Sequence, residues 1–349
     1  MLATETWSFF FSVCVFLLST VLIVGFGHWL AKLADHLADR TGLGEALMGA
    51  LFLGAATSLP EMTTTSTAAA TAHAELAVST ALGGIAAQTV FLSLADSTYK
   101  RANLEHAAAS MTNVMQGLLA IVLISMIILG YVTHQVQWFG IHPVTPFMIG
   151  SYLYGLHLVY KTQAQPMWNP QKTLETKPDV PNPHDGFGPT SLPWLWSQLG
   201  FSALVVGVAG WLMTKAGIAI SIHTGLSETI IGVVFLAIST SFPELVTALA
   251  AVRCGALTLA IGGILGGNAF DTLLVPLSDI IYESRTIYGA ISLRQVFMMA
   301  LTLLLTAILI MGLVRREKSG IGNIGFESFF ILVLYIGAIV FLFVYESSF

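Results

Sequence analysis

Ten apolar runs of about helix-spanning length follow one another along the chain, and nothing else in it limits the fold as strongly. They extend over Ser8 to Lys32, Glu45 to Thr71, Leu76 to Ala95, Ala107 to Tyr131, Val144 to Tyr160, Leu192 to Thr214, Glu228 to Val252, Leu257 to Ile281, Ile291 to Val314 and Phe326 to Val344. About 20 apolar residues cross about 30 Å of hydrocarbon as an α-helix. Backbone in lipid has no water to bond to, so only helices and closed barrels span it. The runs are continuously apolar rather than alternating, which excludes a barrel. With 55% hydrophobic and only 9% charged residues over 349 positions, the composition also lies outside the soluble range. The expected class is an all-α integral membrane protein with ten transmembrane helices. The first run is too long, and lacks the basic start, for a cleaved signal peptide, so it reads as a span.

The second constraint is an internal repeat. Residues Thr41 to Asp96 lie without a gap on Thr224 to Asp279 at an offset of 183 positions, with 22 of the 56 aligned pairs identical. The anchors include Glu45 with Glu228, Pro60 and Glu61 with Pro243 and Glu244, Gly83 and Gly84 with Gly266 and Gly267, and Asp96 with Asp279. Five spans, an odd number, separate the copies, so they must cross the membrane in opposite senses. Such inverted-topology repeats place substrate sites near the midplane. The polar, proline-rich stretch from Lys161 to Pro189 reads as a linker. The expected organisation is therefore 1–160 as a first five-helix repeat holding the α-repeat 41–96, 161–191 as a cytoplasmic linker, and 192–349 as a second five-helix repeat holding the α-repeat 224–279.

Of the 14 Lys and Arg residues, only Lys215, Arg285 and Arg294 fall in even-numbered loops. Basic residues collect on the cytoplasmic side. Both termini are thus expected outside, in a multi-pass protein of the plasma or inner membrane. Nothing in the charge pattern points to nucleic acid, and no obligate protein partner is implied. Cys14 and Cys254 suggest neither a disulfide nor a metal motif.

Each repeat contains one carboxylate beside a proline in an apolar run, in "TSLPE" (Thr57 to Glu61) and "TSFPE" (Thr240 to Glu244). Proline removes the hydrogen bond to the carbonyl four residues back, so Pro60 frees the carbonyl of Ala56 and Pro243 that of Ser239. A freed carbonyl in hydrocarbon costs several kcal/mol, and a desolvated carboxylate costs more. A cation offsets both. Thr57 and Glu61, four apart, would share one helical face. Glu61 and Glu244 brought together make an oxygen-lined site of charge −2, suited to a hard divalent ion. Against this stands the reading of a buried glutamate as a proton-sharing packing residue, which the symmetric pairing weakens. Glu45 and Glu228 open their helices and are expected to act as caps. Asp96 and Asp279, at span ends, are expected to be solvated at the interface. Gly262, Gly263, Gly266 and Gly267 suit close helix packing, and Thr63 to Thr67 suit packing more than ligation, with Thr64 and Thr247 the exceptions that recur.

The paired "ATSLPEMTTT" and "STSFPELVTA", each followed by a glycine-rich span, resemble the α-repeats of the sodium/calcium exchanger family within the cation/Ca²⁺ antiporter superfamily, in the prokaryotic form without a regulatory domain. The resemblance covers about a third of the chain. It implies that Glu61 and Glu244 bind Ca²⁺, and that Thr57, Ser58, Thr240 and Ser241 bind Na⁺ together with helix carbonyls such as those of Gly54 and Ala237. It also implies that Asp271, Gln88 and Asn268 of the glycine-rich spans add ligands. The proton-coupled branch has Gly-Asn where this chain has Thr-Ser, which favours sodium. Gly84 and Gly267 depart from the family's Gly-Ser and lose one Na⁺-ligating hydroxyl in each repeat, and Ile85 replaces an Asn. The implied activity is Ca²⁺ exchange for Na⁺ by alternating access, with no cofactor. Cation/H⁺ exchange or a Mg²⁺ or Mn²⁺ substrate is the alternative on the same fold, and a divalent cation channel the alternative of another class. No HExxH or GxSxG pattern supports an enzyme.

Overall fold

The computed structural model describes residues 7–41, 54–99, 102–108, 110–165, 167–174, 176, 191–283, 285–320, 324–344 and 346. These are helical apart from turns and one isolated bridge between Trp138 and Ile141. In chain order the helices are α1 (Phe9–Thr41), α2 (Leu59–Ala70), α3 (Ala74–Thr98), the single turn α4 (Leu104–Ala107), α5 (Met111–Val132) and α6 (Val144–Ala164). After the linker come α7 (Leu192–Thr224), α8 (Glu228–Thr240), α9 (Phe242–Cys254), α10 (Leu257–Asp271), α11 (Leu274–Ile281), α12 (Leu293–Arg315) and α13 (Phe326–Val344).

Among the described residues seven helices, counting α10 and α11 as one, are long and apolar enough to cross a membrane, and an eighth if the bent pair α8–α9 is one span. Of the two remaining expected spans, Glu45 to Thr71 lies partly outside the described residues, and α6, though 21 residues long, is not among those seven. The chain is a multi-pass membrane protein. Helices α1 and α7 run well past the expected ends at Lys32 and Thr214 and pack along one another. The fourth span starts at Met111 rather than Ala107, because Leu104–Ala107 forms its own turn.

The centre of the bundle is α3, buried along nearly its whole length and touching α2 and α8 through α13. Its small residues let neighbouring backbones come close. A Cβ on Gly83 would fall 2.7 Å from Val233 Cα, and one on Gly232 2.8 Å from Ser79 Cβ. Around that contact residues Ile231–Leu236 are wound as a π-helix, a local widening often found at functional sites. Of the glycines expected to serve helix packing, Gly262 and Gly266 stand against the side-chain amides of Asn113 and Gln116, Gly267 against that of Gln88, and Gly263 faces open space.

Asp96 and Asp279 are not solvated at an interface as expected but buried. Asp96 Oδ1 accepts from the Leu104 N–H at 2.6 Å and Oδ2 from the Gly325 N–H at 2.8 Å. Asp279 Oδ1 accepts from the Ile287 N–H at 2.9 Å, and Oδ2 from the His142 N–H at 2.9 Å and Thr145 Oγ1 at 2.6 Å. These partners keep the repeat offset, since Leu104 pairs with Ile287, and His142 with Gly325, at the same 183 positions. Each aspartate therefore staples the chain beyond its own helix to the start of a distant one, α13 for Asp96 and α6 for Asp279. A charged acceptor strengthens such bonds in a low-dielectric setting.

Candidate functional site: a buried acidic cluster at two helix breaks

Both proline-glutamate motifs sit at a break. Ser58 interrupts a helix between residues 54–57 and α2, and Ser241 separates α8 from α9, which meet at 43°. Pro60 and Pro243 each take a first-turn position of the new helix, with Glu61 and Glu244 in that same turn. Proline fits there because the first N–H groups of a helix lack acceptors anyway. The expected continuous helix through Thr57 and Glu61 is thus interrupted at Ser58.

The serine N-caps and the glutamates three residues on have the spacing of a capping box. Neither serine makes a side-chain cap bond. Their hydroxyls turn inward instead: Ser241 Oγ donates to Glu61 Oε1, from the opposite repeat, and Ser58 lies against the Asp271 carboxyl. The sequence carried this signal as a pair of S-x-x-E motifs, but spacing alone cannot say that the box is left open.

Gln88 of α3 is the hub. Its Nε2 donates to Asp271 Oδ2 at 2.8 Å and to Glu61 Oε1 and Oε2 at 3.2 and 3.4 Å. Glu244 is near enough to both Asp271 and Glu61 to interact electrostatically with them. Glu61, Gln88 and Asp271 are 0% exposed and Glu244 6%. Five acceptor oxygens here have no hydrogen-bond donor among the described residues: both of Glu244, Asp271 Oδ1, Gln88 Oε1 and Asn268 Oδ1. Buried polar atoms are otherwise almost always paired. Asn268 reaches across the repeats through Nδ2 to Thr89 Oγ1 at 2.9 Å.

The other expected ligands are occupied locally. The Gly54 carbonyl accepts from the Ser58 N–H at 2.9 Å and from Thr57 Oγ1 at 3.1 Å, and the Ala237 carbonyl from the Ser241 N–H at 3.0 Å and Thr240 Oγ1 at 3.2 Å. Thr64 and Thr247 likewise donate to carbonyls of their own helices. Among the described residues no three His, Cys, Asp or Glu converge at metal-ligand spacing. The carboxyls stand close without closing around a point. Gly84 explains part of the layout: a Cβ there would fall 2.8 Å from Glu61 Oε1, whereas one on Gly267 would meet only Gln88 Oε1, at 3.4 Å.

Glu45 lies outside the described residues. Glu228 is a cap, but of a neighbouring helix: its Oε2 accepts from the Leu76 N–H of α3 at 3.2 Å and its Oε1 bonds His73 Nδ1 at 2.5 Å. Its own helix is capped by Ser227, which accepts from the Ile230 N–H.

Residues 11–160 and 194–344 match the family described as "Sodium/calcium exchanger protein". CaxA of Alkalimonas amylolytica is 29% identical over 305 residues, 87% of this chain and 90% of that protein. The fold resembles the H⁺/Ca²⁺ exchanger CAX, with a TM-score of 0.66 at 13% identity over 96% of this chain and 88% of that one. It also resembles the sodium-calcium exchanger NCX_Mj, with a TM-score of 0.56 at 17% identity over 95% of this chain and 99% of that one. The match to nearly all of both halves leaves one conclusion about descent: this chain belongs to the sodium/calcium exchanger family.

Proposed function

We propose that the chain is a secondary active antiporter that moves Ca²⁺, or a related divalent cation, in exchange for Na⁺ at the Glu61–Glu244–Asp271 cluster by alternating access between two five-helix repeats. The observation that carries this reading is the set of five buried oxygens without donors. A single cation can satisfy them together, and a hard divalent ion takes six to eight oxygens, carboxylate and amide alike. Glu61 and Glu244 supply the charge, Asp271 and Asn268 come from α10, and Gln88 offers its amide oxygen once Nε2 lets the carboxyls move. The hydroxyls of Thr57, Ser58, Thr240 and Ser241 and the Gly54 and Ala237 carbonyls are the Na⁺ ligands, released from their local bonds when the breaks rearrange. An acidic site that should not cross empty enforces exchange. The basic loops face the cytoplasm and both termini lie outside.

Sodium is favoured by the Thr-Ser pairs ahead of both prolines. Proton coupling is the second reading, favoured by Gly84, which sets bare backbone rather than a hydroxyl against Glu61. The deciding experiment uses proteoliposomes loaded with Na⁺, then with choline under an imposed pH gradient, following ⁴⁵Ca²⁺ uptake. Uptake that requires the Na⁺ gradient supports the proposal. Uptake driven by the pH gradient alone moves the protein to cation/H⁺ exchange, and uptake with no counter-ion at all would make it a channel.

A further inference from the structure

Away from the acid cluster, one buried ionisable group stands where the repeat breaks its own symmetry. Tyr288, in the turn Ile287–Ala290, is buried with its hydroxyl 3.4 Å from Thr145 Oγ1. One repeat offset earlier stands Glu105, and Thr145 has Ser328 as its counterpart. Ser328 Oγ donates to Glu105 Oε1 at 2.7 Å. Equivalent pockets, both built on a stapling aspartate, therefore hold a phenol at one end of the bundle and a carboxyl at the other.

Glu105 is 3% exposed, and its Oε2 is buried with no hydrogen-bond partner. Among the described residues its surroundings are poor in compensating charge. It faces Asp96 from α3 and Glu327 from α13. Helix α12 presents Gly312, where a Cβ would lie 3.4 Å from Glu105 Cγ and 3.0 Å from Glu327 Cγ. The first turns of α10, Leu257 to Gly267, carry no titratable side chain. On its own turn His106 bonds the Arg316 carbonyl and Thr173 Oγ1, and the Arg316 guanidinium is spent on the carbonyls of His106 and Gln171 and on Thr176 Oγ1. No three acidic or histidine groups among the described residues stand at metal-ligand spacing.

We propose that Glu105 is a proton-binding site at the basic end of the bundle, and that its charge sets how tightly the start of α13 is held against α3 and α12. The clamp consists of the Gly325 N–H on Asp96 and the Ser328 hydroxyl on Glu105. Neutral Glu105 leaves one charge beside Asp96. Ionised, it adds a like charge in a desolvated pocket, which opening would relieve. Burial first, and Asp96 second, push Glu105 up to about 7 from the usual 4.5. Its folded form therefore binds the proton more tightly than a solvated form does. The clamp is at full strength below about pH 4.5, weakens as pH rises through the interval to about 7, and levels off above it.

The test is amide hydrogen exchange on the purified full-length protein, corrected for intrinsic rates. Protection of residues 325–329 should fall at least about tenfold between about pH 5.5 and about pH 8, a discounted form of the linkage effect. Glu105→Gln, and Glu105→Tyr, which copies the phenol of Tyr288, should hold protection constant over that range. The reading is overturned by flat protection in the unmodified protein, a measurement that stands even if both variants misfold. It is also overturned by a fall in Glu105→Gln equal to that of the unmodified protein, or by recovery at pH 8 on adding Ca²⁺ or Mg²⁺ that is confined to residues 325–329 and absent from Glu105→Gln, which would make the cluster a cation site. Protection is read without transport, so a failure here leaves the proposed exchange untouched, and a protein found not to exchange ions can still be tested.

Discussion

Replacing Glu244 by Gln separates the two demands made on that residue. Both its oxygens are buried without a donor, close to the carboxyls of Asp271 and Glu61. Unsatisfied buried groups cost about 1–3 kcal/mol each, more when charged. The amide removes a charge from that neighbourhood and brings an N–H₂ that can donate to Asp271 Oδ1, itself unpaired. The ion-free variant should therefore be more stable than the parent by about 1–3 kcal/mol. Ion binding should change the other way. A unit charge pair 4 Å apart is worth about 4 kcal/mol at an effective dielectric of 20, and more for a divalent ion, before desolvation is subtracted. A loss of at least about 100-fold in Ca²⁺ affinity is the expected remainder. At a Ca²⁺ level about 100 times the parent's Kd, ligand stabilisation is about 2.7 kcal/mol for the parent and only about 0.4 kcal/mol for the variant. Thermal unfolding in detergent with and without Ca²⁺ reads both quantities, and ⁴⁵Ca²⁺ flux in vesicles reads transport. A variant that keeps the parent's Ca²⁺-dependent shift and its flux would refute the assignment of Glu244, whatever its basal stability.

Gly84→Ala should abolish exchange while leaving the protein folded, because its Cβ would meet Glu61 Oε1 at 2.8 Å; Gly267→Ala, 3.4 Å from Gln88 Oε1, should lose less than about threefold in flux, an order-of-magnitude expectation for an ordinary contact that neighbouring atoms absorb. Equal effects in the two flux assays would remove the asymmetry argued for the site. Asp279→Ala strands the N–H groups of Ile287 and His142 and the Thr145 hydroxyl, so unfolding should ease by about 3 kcal/mol or more, and a loss under about 1 kcal/mol in a denaturation series would show the staple to be ornamental. Ser241→Ala should weaken Ca²⁺ binding more than Ser58→Ala at equilibrium, since only Ser241 donates to a site glutamate in this arrangement; isothermal titration giving the reverse order would contradict the described geometry.

Much of this was legible in the sequence because the strongest signals were long or doubled. Twenty-residue apolar runs report the medium, and a 56-residue ungapped repeat reports topology. Glu61 and Glu244 could be singled out because a carboxylate inside an apolar run is expensive wherever it lies, whereas Asp271 and Gln88 could be named only through the resemblance to the exchanger repeats. What escaped were features set by third partners. The helix that carries Thr57 and Glu61 is interrupted at Ser58, which the spacing of the two residues does not foretell. Asp96 and Asp279 read as surface residues because most of their partners, Leu104, Gly325, Ile287 and His142, offer main-chain N–H groups, which leave no mark in side-chain chemistry, and the one hydroxyl, of Thr145, lies 134 residues away in sequence. The Gln88 amide could be placed in the site but not made its hub, since spacing does not say which of two carboxyls an amide will bridge.

The departures from two-fold symmetry carry more than the symmetry does. At the repeat offset, Ser58 corresponds to Ser241, Glu61 to Glu244, Gln88 to Asp271 and Gly84 to Gly267, yet the bonds do not correspond. Glu61 is held by Ser241 and Gln88 and backed by Gly84, while Glu244 has no donor. On the alternating access proposed above, two like halves packed in opposite senses would have a second arrangement close in energy, in which the halves trade roles. In that arrangement Ser58 would turn from Asp271 to Glu244, and Glu61 would be the one released. The trade cannot be complete, because Gln88 can donate and ionised Asp271 cannot. The two arrangements therefore differ by the Gln88 bonds, and a cation that takes over the carboxyl oxygens weakens those bonds. On that proposal, ion binding would lower the difference between the two packings, the condition under which a bound site could change sides and a vacant one would stay where it is.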